Sequence, residues 1–460
     1  MKITSFDIVF LVCGSIFFVL WILSKFAKKE DENFVRGTQI GKAQPLKKNK
    51  DQLIQIAGVP VSGEIEATHF LIAGATGTGK SQIINSMLAT LRERGDKCLI
   101  VDSGGEAMSR LFAEGDVMLN PLDSRSQNWS PACEIRNGWD ADRFSKSIVP
   151  DREGKDGEWA LYAQGLIAAV LQRLFERGEL TNERFSYFMN VAENAELKSL
   201  ISGLSSQRLF AQNAGGMLTS VQGIIGSYLP SYRYLSPTTG EDGFSVRKWA
   251  QSDDTSWLWL PYQDSQLASL KGLLSCWLGE AINAKLSTTP GSQKSLWIFA
   301  DELASLGRVS GLVEGLTKGR KYSLKIVAGV QTISQLRSEY GRDTAQTILA
   351  NFSNWAVLRA PDSESSEYFS KSFGQIEHLR EETSVSKGEK DSSTKSIRHV
   401  TEAVVLPSQI SGLKPRTGFL RLADQPQTIF PIEVPIAQLP PISMPSYLPP
   451  STSSFLKASS

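Results

Sequence analysis

The chain has 460 residues, 41% of them hydrophobic, and a formal net charge of +1 at pH 7. This length accommodates two or three domains. The near-neutral charge excludes a chain that is basic overall, but it leaves room for a local basic patch or a basic pore lining. The 4 cysteines are scattered without a C-x-x-C pair and there are 3 histidines, so no disulfide framework and no metal site is predicted, as is typical of a reducing compartment.

The first predicted element is an apolar segment near the N-terminus. Residues 8–23 read IVFLVCGSIFFVLWIL without a charge, and Lys25, Lys28 and Lys29 follow them. A signal peptide would carry its positive charges before the apolar run, so we predict one uncleaved transmembrane helix over residues 6–24, with a buried core helix as the alternative. The lysines after the segment predict that the rest of the chain lies in the cytoplasm. The charged residues 25–50 predict a juxtamembrane linker close to the lipid bilayer.

The next segments predict a parallel α/β fold. The run HFLIAG reads as a buried strand, SQIINSMLATLRER as a helix that stops at Gly95, and KCLIVDS as the following strand. Residues 51–127 would form the first part of this domain. A strand, a helix and a second strand, joined by a glycine-rich first turn, are typical of the start of a doubly wound sheet.

Residues 128–250 have a different pattern. Apolar residues recur there at three- and four-residue spacing, as in EWALYAQGLIAAVLQRLFERG, and this predicts an all-α insertion domain. Strand-like segments then return at 257–262, 296–302, 324–331 and 355–360, so residues 251–434 would complete the α/β domain. The polar segment 381–399 predicts a mobile loop, and the Pro- and Ser-rich residues 435–460 predict an extended tail.

A phosphate-binding motif follows the first strand of the body. The sequence G-x-x-x-x-G-K-S lies between a predicted strand and a predicted helix, in the arrangement that cradles a nucleotide phosphate. Its residues are Gly74, Ala75, Thr76, Gly77, Thr78, Gly79, Lys80 and Ser81. Lys80 would reach the β- and γ-phosphates of ATP, and the Ser81 hydroxyl would bind Mg²⁺.

A second motif supplies the carboxylates that such a site needs. The apolar run LWIFADE ends in Asp301 and Glu302. Asp301 would bind Mg²⁺ through its water shell, and Glu302 would orient and deprotonate the attacking water. An acidic pair at the start of a helix is the alternative interpretation. With Glu302 present, the pattern favours hydrolysis over transfer of phosphate to a substrate.

Two further polar residues lie downstream. Gln331 ends a strand predicted to neighbour that of Asp301, where a side chain can sense the γ-phosphate. Arg320 precedes that strand in a glycine-containing turn and would project as an arginine finger into the site of a neighbouring subunit. A surface hydrogen bond or ion pair is the alternative for each, and Arg359 in WAVLRA is the next candidate for the finger.

These features resemble the TraD/TraG/TrwB family of type IV coupling proteins, conjugative DNA pumps related to FtsK and HerA motors. The resemblance covers GATGTGKS, LIVDSGGE, DADRFSKSIVPD, WALYAQGLIAAVLQRL, LRAPDSESSEYFSKSFG and, most specifically, residues 301–331. It implies RecA-like P-loop NTPase domains in a hexameric ring around a pore, an all-α domain that receives a relaxase–DNA complex, and a place in the bacterial inner membrane beside a type IV secretion channel. By matching position, it assigns Lys80 and Ser81 to the phosphate loop, Asp301 and Glu302 to the Walker B pair, Gln331 to the sensor and Arg320 to the finger.

The chain departs from the expected family pattern at both ends. Most members are expected to have two membrane helices, whereas one is predicted here, and the long acidic C-terminal extension of some relatives is not seen. The loop YQDSQ at 262–266 is a candidate for gripping DNA, with a plain strand-to-helix turn as the alternative.

The sequence leaves three rival functions open. The first is an FtsK-like translocase of chromosomal DNA, which would be expected to carry a C-terminal winged-helix domain in place of the Pro/Ser tail. The second is a nucleotide-switched docking receptor that recruits proteins without pumping DNA. The third is a coupling protein of a system that exports only proteins.

Overall fold

The computed structural model describes residues 34–42 and 52–450, apart from residues 153, 212–214, 239, 241, 292–293 and 387–391. The strands are β1 Phe34–Gly37, β2 Gln39–Ile40, β3 Gln55–Ile56, β4 Val59–Pro60, β5 Phe70–Ala73, β6 Lys97–Ser103, β7 Val117–Met118, β8 Leu258–Tyr262, β9 Leu296–Ala300, β10 Leu324–Val330, β11 Asn354–Leu358, β12 Gln375–Ser386, β13 Ser392–Ala403, β14 Thr417–Arg421 and β15 Thr428–Glu433. The helices are α1 Gly63–Glu66, α2 Lys80–Arg94, α3 Glu106–Leu111, α4 Gly138–Ile148, α5 Lys155–Glu176, α6 Asn182–Asn190, α7 Asn194–Leu200, α8 Gly215–Tyr228, α9 Val246–Gln251, α10 Asp264–Leu286, α11 Leu312–Lys318, α12 Ile333–Tyr340, α13 Arg342–Asn351, α14 Ser363–Phe373 and α15 Pro407–Ser411.

A ten-stranded sheet organises the body of the molecule. Its strand order is β2-β15-β14-β11-β5-β10-β9-β6-β8-β7. The seven strands from β11 to β7 are mutually parallel, whereas β14 is antiparallel to both β11 and β15. The four strand-like segments predicted after residue 250 are therefore confirmed as β8, β9, β10 and β11. The parallel arrangement brings the carboxyl ends of β5, β10 and β9 to one edge of the sheet.

The sheet is buried on both faces, which explains why its central strands read as continuous apolar runs. Along β5, Phe70 and Ile72 pack into one core with α2, while Leu71 packs into a second core on the opposite face. That second core extends into the helices between residues 138 and 251. Such alternation follows from the two-residue repeat of a strand.

The helical segment is joined to the α/β core by aromatic packing, and its two ends are joined to each other by a buried carboxylate. Trp129 packs edge-on against Trp277 of α10, with ring centroids 5.5 Å apart. Glu134, which is 0% exposed, accepts hydrogen bonds from Trp129 Nε1, Ser245 Oγ and the N–H groups of Val246 and Arg247. The predicted helical character of this segment is confirmed, while the bounds given for the separate domains stay a prediction.

Two segments differ from expectation, the first because its strand partners are remote in sequence and the second because its paired strands are polar. Residues 34–40, expected in the linker 25–50, form β1, which pairs with β12, and β2, which pairs with β15. The polar segment 381–399, expected to be a mobile loop, contributes to the long antiparallel hairpin of β12 and β13. Its charged side chains pair across the strands, as Arg398 does with Glu382 at 3.4 Å. Cross-strand pairing of this kind leaves no apolar alternation for a sequence pattern to detect.

The C-terminal residues 435–450 run along the body without forming a helix or a strand, while the extended tail over 435–460 stays a prediction. Their backbone is held by specific contacts: Ala437 N donates to Gln82 Oε1 at 2.9 Å, Ser443 N to Ser109 O at 2.9 Å and Leu448 N to Asp123 Oδ2 at 3.0 Å. The predicted transmembrane helix over 6–24 lies outside the described residues. Within the described ranges, no helix combines the length and the apolar character needed to cross a bilayer.

Candidate nucleotide site

The phosphate loop joins β5 to α2 in the predicted way. Gly79 has a φ of 113°, which a residue with a side chain rarely adopts, and α2 begins at the next residue. A Cβ atom on Gly79 would also lie 3.2 Å from Arg416 Cγ, so the loop and its neighbour leave little space there. The first turn of α2 therefore presents its free N–H groups and the positive end of its dipole at the loop, as an anion site requires.

Lys80 is held at the base of this loop. Its Nζ donates to the carbonyl oxygen of Gly74 at 2.8 Å and to that of Ala75 at 3.2 Å, and the residue is 7% exposed. Burial lowers the pKa of Lys80, while the nearby carboxylates of Asp301 and Glu302 oppose the change. The positive charge of Lys80 therefore lies where the phosphates of a nucleotide would need a counter-charge.

Asp301 and Glu302 follow β9 and lie beside the phosphate loop. Ser81 Oγ donates to Asp301 Oδ2 at 3.1 Å, joining two residues that are 220 positions apart. The close approach depends on Gly329 of β10, because a Cβ atom there would lie 1.8 Å from Asp301 O. Burial raises the pKa of Asp301 and raises that of Glu302 to about 7.

The oxygen atoms of Ser81 and Asp301 fit a magnesium ion. Asp301 Oδ1 is buried and has no hydrogen-bond partner among the described residues, while Oδ2 points at the Ser81 hydroxyl. Mg²⁺ prefers hard oxygen ligands and is commonly held by one or two protein oxygens together with nucleotide phosphates and water. The pair supplies that number and type of ligand.

Gln331 follows β10, the strand between those of the phosphate loop and Asp301. Its Oε1 accepts a hydrogen bond from Thr76 Oγ1 of the phosphate loop at 3.2 Å. The predicted adjacency of its strand to β9 is confirmed by their parallel pairing. Gln331 therefore lies between the two halves of the site, in the position that a sensor of the γ-phosphate needs.

Arg320 lies elsewhere in the subunit. It is exposed, in the short 3₁₀ turn Gly319–Tyr322 that precedes β10, and it makes no ion pair with any residue in the described part of the chain. The seven residues of β10 separate this turn from Gln331, a distance of about 20 Å at strand geometry. Arg320 is thus at the edge of the sheet opposite the phosphate loop of its own subunit.

Two residues near the loop, Asp102 and Arg416, were not singled out from the sequence, and a third, Arg359, was named only as a possible finger. Asp102, at the end of β6, lines a small cavity with Ser81 and Asp301, and burial raises its pKa to about 7. Arg359 accepts a hydrogen bond at its carbonyl from Ala75 N at 2.9 Å, although its side chain was considered only as a finger. Arg416 N donates to Thr78 O at 2.8 Å across 338 positions. No local pattern marks these contacts, since each joins segments remote in sequence.

The loop YQDSQ forms a plain strand-to-helix turn. Gln263 lies at the N-cap of α10, and Gln266 Oε1 accepts from Gln263 N at 3.0 Å, a reciprocal capping arrangement. The segment thus has the geometry of the alternative interpretation, and a contact with DNA stays a prediction.

Comparison with known families shows one match over most of the chain. Residues 53–435 match the model of the type IV secretion-system coupling protein DNA-binding domain. The chain is similar to coupling protein TraD of Escherichia coli K12, with 28% identity over 384 residues, and to a conjugal transfer protein TraG of Escherichia coli, with 24% identity over 372 residues. These alignments cover 80% and 69% of the chain, which spans little more than half the length of each relative, 53% and 56%.

The fold is also similar to solved structures. The coupling protein TrwB, in an unbound form lacking its N-terminal segment, superimposes with a TM-score of 0.82 at 32% identity, covering 91% of this chain and 96% of the other. TrwB in complex with ADP and Mg²⁺ also has a TM-score of 0.82 at 32% identity, with 91% and 98% covered. TrwB with a non-hydrolysable ATP analogue gives 0.81 at 31% identity, with the same coverage.

Proposed function

Because the chain belongs to the family of type IV secretion-system coupling proteins, we propose that it is an ATPase that drives DNA transfer in conjugation. The observation that carries the proposal is the meeting of three motifs at the carboxyl edge of β5, β10 and β9. At this edge Ser81 contacts Asp301, and Glu302 lies beside Lys80 and Gln331. Gln331 in turn is hydrogen-bonded to the phosphate loop through Thr76. The nucleotide complexes of TrwB support ATP and Mg²⁺ as the ligands of this site.

Each residue of the site has a distinct part in the proposed reaction. The N–H groups of residues 74–79 and the ammonium group of Lys80 bind and orient the phosphates. Ser81 and Asp301 hold Mg²⁺, which neutralises charge on the phosphates when it is bound. Glu302 accepts a proton from the attacking water, and Gln331 detects whether the γ-phosphate is present.

Arg320 completes the site of a neighbouring subunit in this proposal. Its place at the far edge of the sheet, without an ion-pair partner in the described residues, supports a role between subunits and not within one. The ring would be a homo-hexamer around DNA, as the family resemblance implies, and the motion of its subunits would move DNA through the pore.

The proposed partners follow from the family. DNA bound without sequence preference, the relaxase and its relaxosome proteins, and inner-membrane components of a type IV secretion system are the expected ones. We also propose that residues 6–24 anchor the protein in the bacterial inner membrane as a single span, with the body in the cytoplasm. The lysines after that segment support this orientation.

The test measures ATP hydrolysis by the full-length chain in detergent, with and without DNA. We expect hydrolysis that requires Mg²⁺ and accelerates with DNA. Nucleotide binding without turnover under either condition would favour the docking receptor, and turnover that DNA does not change would remove the pumping role.

A further inference from the structure

Arg416 has an unusual backbone conformation beside the phosphate loop. Its φ is 59°, in the left-handed region that disfavours any residue with a Cβ atom. It is the third residue of the turn Lys414–Thr417, which is closed by a hydrogen bond from Thr417 N to Lys414 O at 3.2 Å. With Pro415 in the second position, the third position of such a turn is normally occupied by glycine. An arginine is therefore held where glycine would be the less strained residue.

Two backbone hydrogen bonds fix this conformation against the nucleotide site. Arg416 N donates to Thr78 O of the phosphate loop at 2.8 Å, and Arg416 O accepts from Val434 N at 2.7 Å. The methylene groups of the side chain lie against Gly79, whose added Cβ would be 3.2 Å from Arg416 Cγ. The side chain thus leaves its turn directly beside the last glycine of the loop.

The guanidinium group has no role within the described fold. Arg416 is exposed, and its side chain makes neither an ion pair nor a hydrogen bond with a described residue. Strained backbone that the surrounding structure enforces is commonly associated with a functional site. A planar cation beside a loop that binds phosphates is suited to a bidentate contact with phosphate oxygens.

We propose that Arg416 is a nucleotide-binding residue of its own subunit, contacting the α- and β-phosphates from the exposed side of the loop. The inference rests on the proposed function of the same loop. A contact with the diphosphate is made equally with ADP and ATP and does not read the base. It stabilises bound nucleotide before and after hydrolysis, so it raises affinity without accelerating turnover at saturation.

Arg416→Gly gives a direct test, because glycine relieves the backbone strain and keeps both backbone hydrogen bonds. The probes are the fluorescent mant derivatives of ADP and GDP, bound to the full-length chain with Mg²⁺. We expect the Kd for both to rise by about 5- to 30-fold, as for loss of one charge-assisted contact. The Tm without nucleotide should be unchanged or higher, and the KM for ATP should rise together with the Kd.

The controls separate this inference from the proposed function. Lys414→Ala removes a positive charge from the same turn and should leave both Kd values within about twofold of wild type. Arg416→Lys keeps the charge and should recover part of the affinity. Wild-type affinity in Arg416→Gly, or a loss confined to one base, would overturn the phosphate contact. Lys80→Ala should abolish binding in either case; failure of wild type itself to bind nucleotide would contradict the proposed function.

Discussion

At the residue scale, the proposed hydrolysis depends on a carboxylate that is poorly solvated. Glu302 is next to Asp301 and faces Lys80, and burial raises its pKa to about 7 against the influence of that lysine. A general base of this kind must be close to the reacting water and must lose its function when the carboxylate becomes an amide.

Glu302→Gln should therefore bind ATP with wild-type affinity and hydrolyse it at least about 100-fold more slowly, since general-base catalysis contributes that much or more. The change keeps the shape of the side chain and removes the base. Binding is measured with a fluorescent nucleotide and turnover by phosphate release. A normal rate in the variant would show that another group activates water.

His69 is a second residue whose protonation is tied to the fold. Its Nδ1 accepts a hydrogen bond from Ile326 N at 3.0 Å, the residue is 4% exposed, and burial lowers its pKa from 6.5 to about 4. The unfolded chain takes up a proton below pH 6.5 that the folded chain does not. The stability is therefore complete above pH 6.5 and is lost as the pH falls from 6.5 to about 4.

Urea unfolding at pH 7.5 and 4.5 tests this assignment against His69→Asn, which cannot titrate. On acidification, the wild-type protein should lose about 2 to 3 kcal/mol more free energy of unfolding than the variant. The half-buried His378 and the exposed His399 of the hairpin are common to both proteins and cancel in the comparison. Parallel pH profiles would mean that folding does not lower the pKa of His69.

At the scale of elements, Glu134 joins the two ends of the helical segment to each other. Its carboxylate accepts four hydrogen bonds, two of them from backbone N–H groups at the start of α9. Removing the acceptor would leave several buried donors without a partner, which costs far more than the bond itself contributes.

Glu134→Ala should lower the free energy of unfolding by roughly 3 to 5 kcal/mol, the range seen when one member of a buried polar network is removed. Glu183, in the first turn of α6, is exposed and provides the matched control, with an expected change below about 0.5 kcal/mol for Glu183→Ala. Both are measured by urea unfolding. Similar small losses in the two variants would mean that water can replace the carboxylate.

At the scale of the whole molecule, the position of Arg320 supports the proposal that two subunits share each active site. An arginine about 20 Å from its own phosphate loop can act only on a neighbour. Arg320→Ala subunits should bind ATP normally and hydrolyse it slower by about 10³- to 10⁵-fold, the contribution of an arginine finger.

Mixing provides the sharper measurement. Arg320→Ala and Lys80→Ala subunits together form some interfaces with an intact loop and an intact finger, so part of the ATPase activity should return although each parent is inactive. The control is wild-type protein under the same exchange conditions. Persistent inactivity of the mixture, or activity of Arg320→Ala alone, would direct attention to Arg359.

Membrane anchoring is the other property of the whole molecule that can be tested. The uncharged segment 8–23 predicts an integral protein, so washing membranes with alkaline carbonate should leave the full-length chain in the pellet. A variant lacking residues 1–24 should be released by the same wash. Release of the full-length chain would contradict the span.

The sequence by itself determined the phosphate loop, the acidic pair after an apolar strand, the helical segment and the strands β8 to β11. These are local patterns, since each depends on residues within one element or one turn of it. The same is true of Gln331, whose strand could be placed beside that of Asp301 from the order of the motifs.

Only the tertiary structure decided which distant segments meet. The pairing of β1 with β12, the contact of Arg416 with Thr78 and the distance of Arg320 from its own loop all concern residues hundreds of positions apart, and the hairpin of polar strands pairs residues that no apolar alternation marks. Strand partners and loop contacts of this kind are set by packing and by backbone hydrogen bonds over the whole chain, which leave no periodic pattern in the sequence.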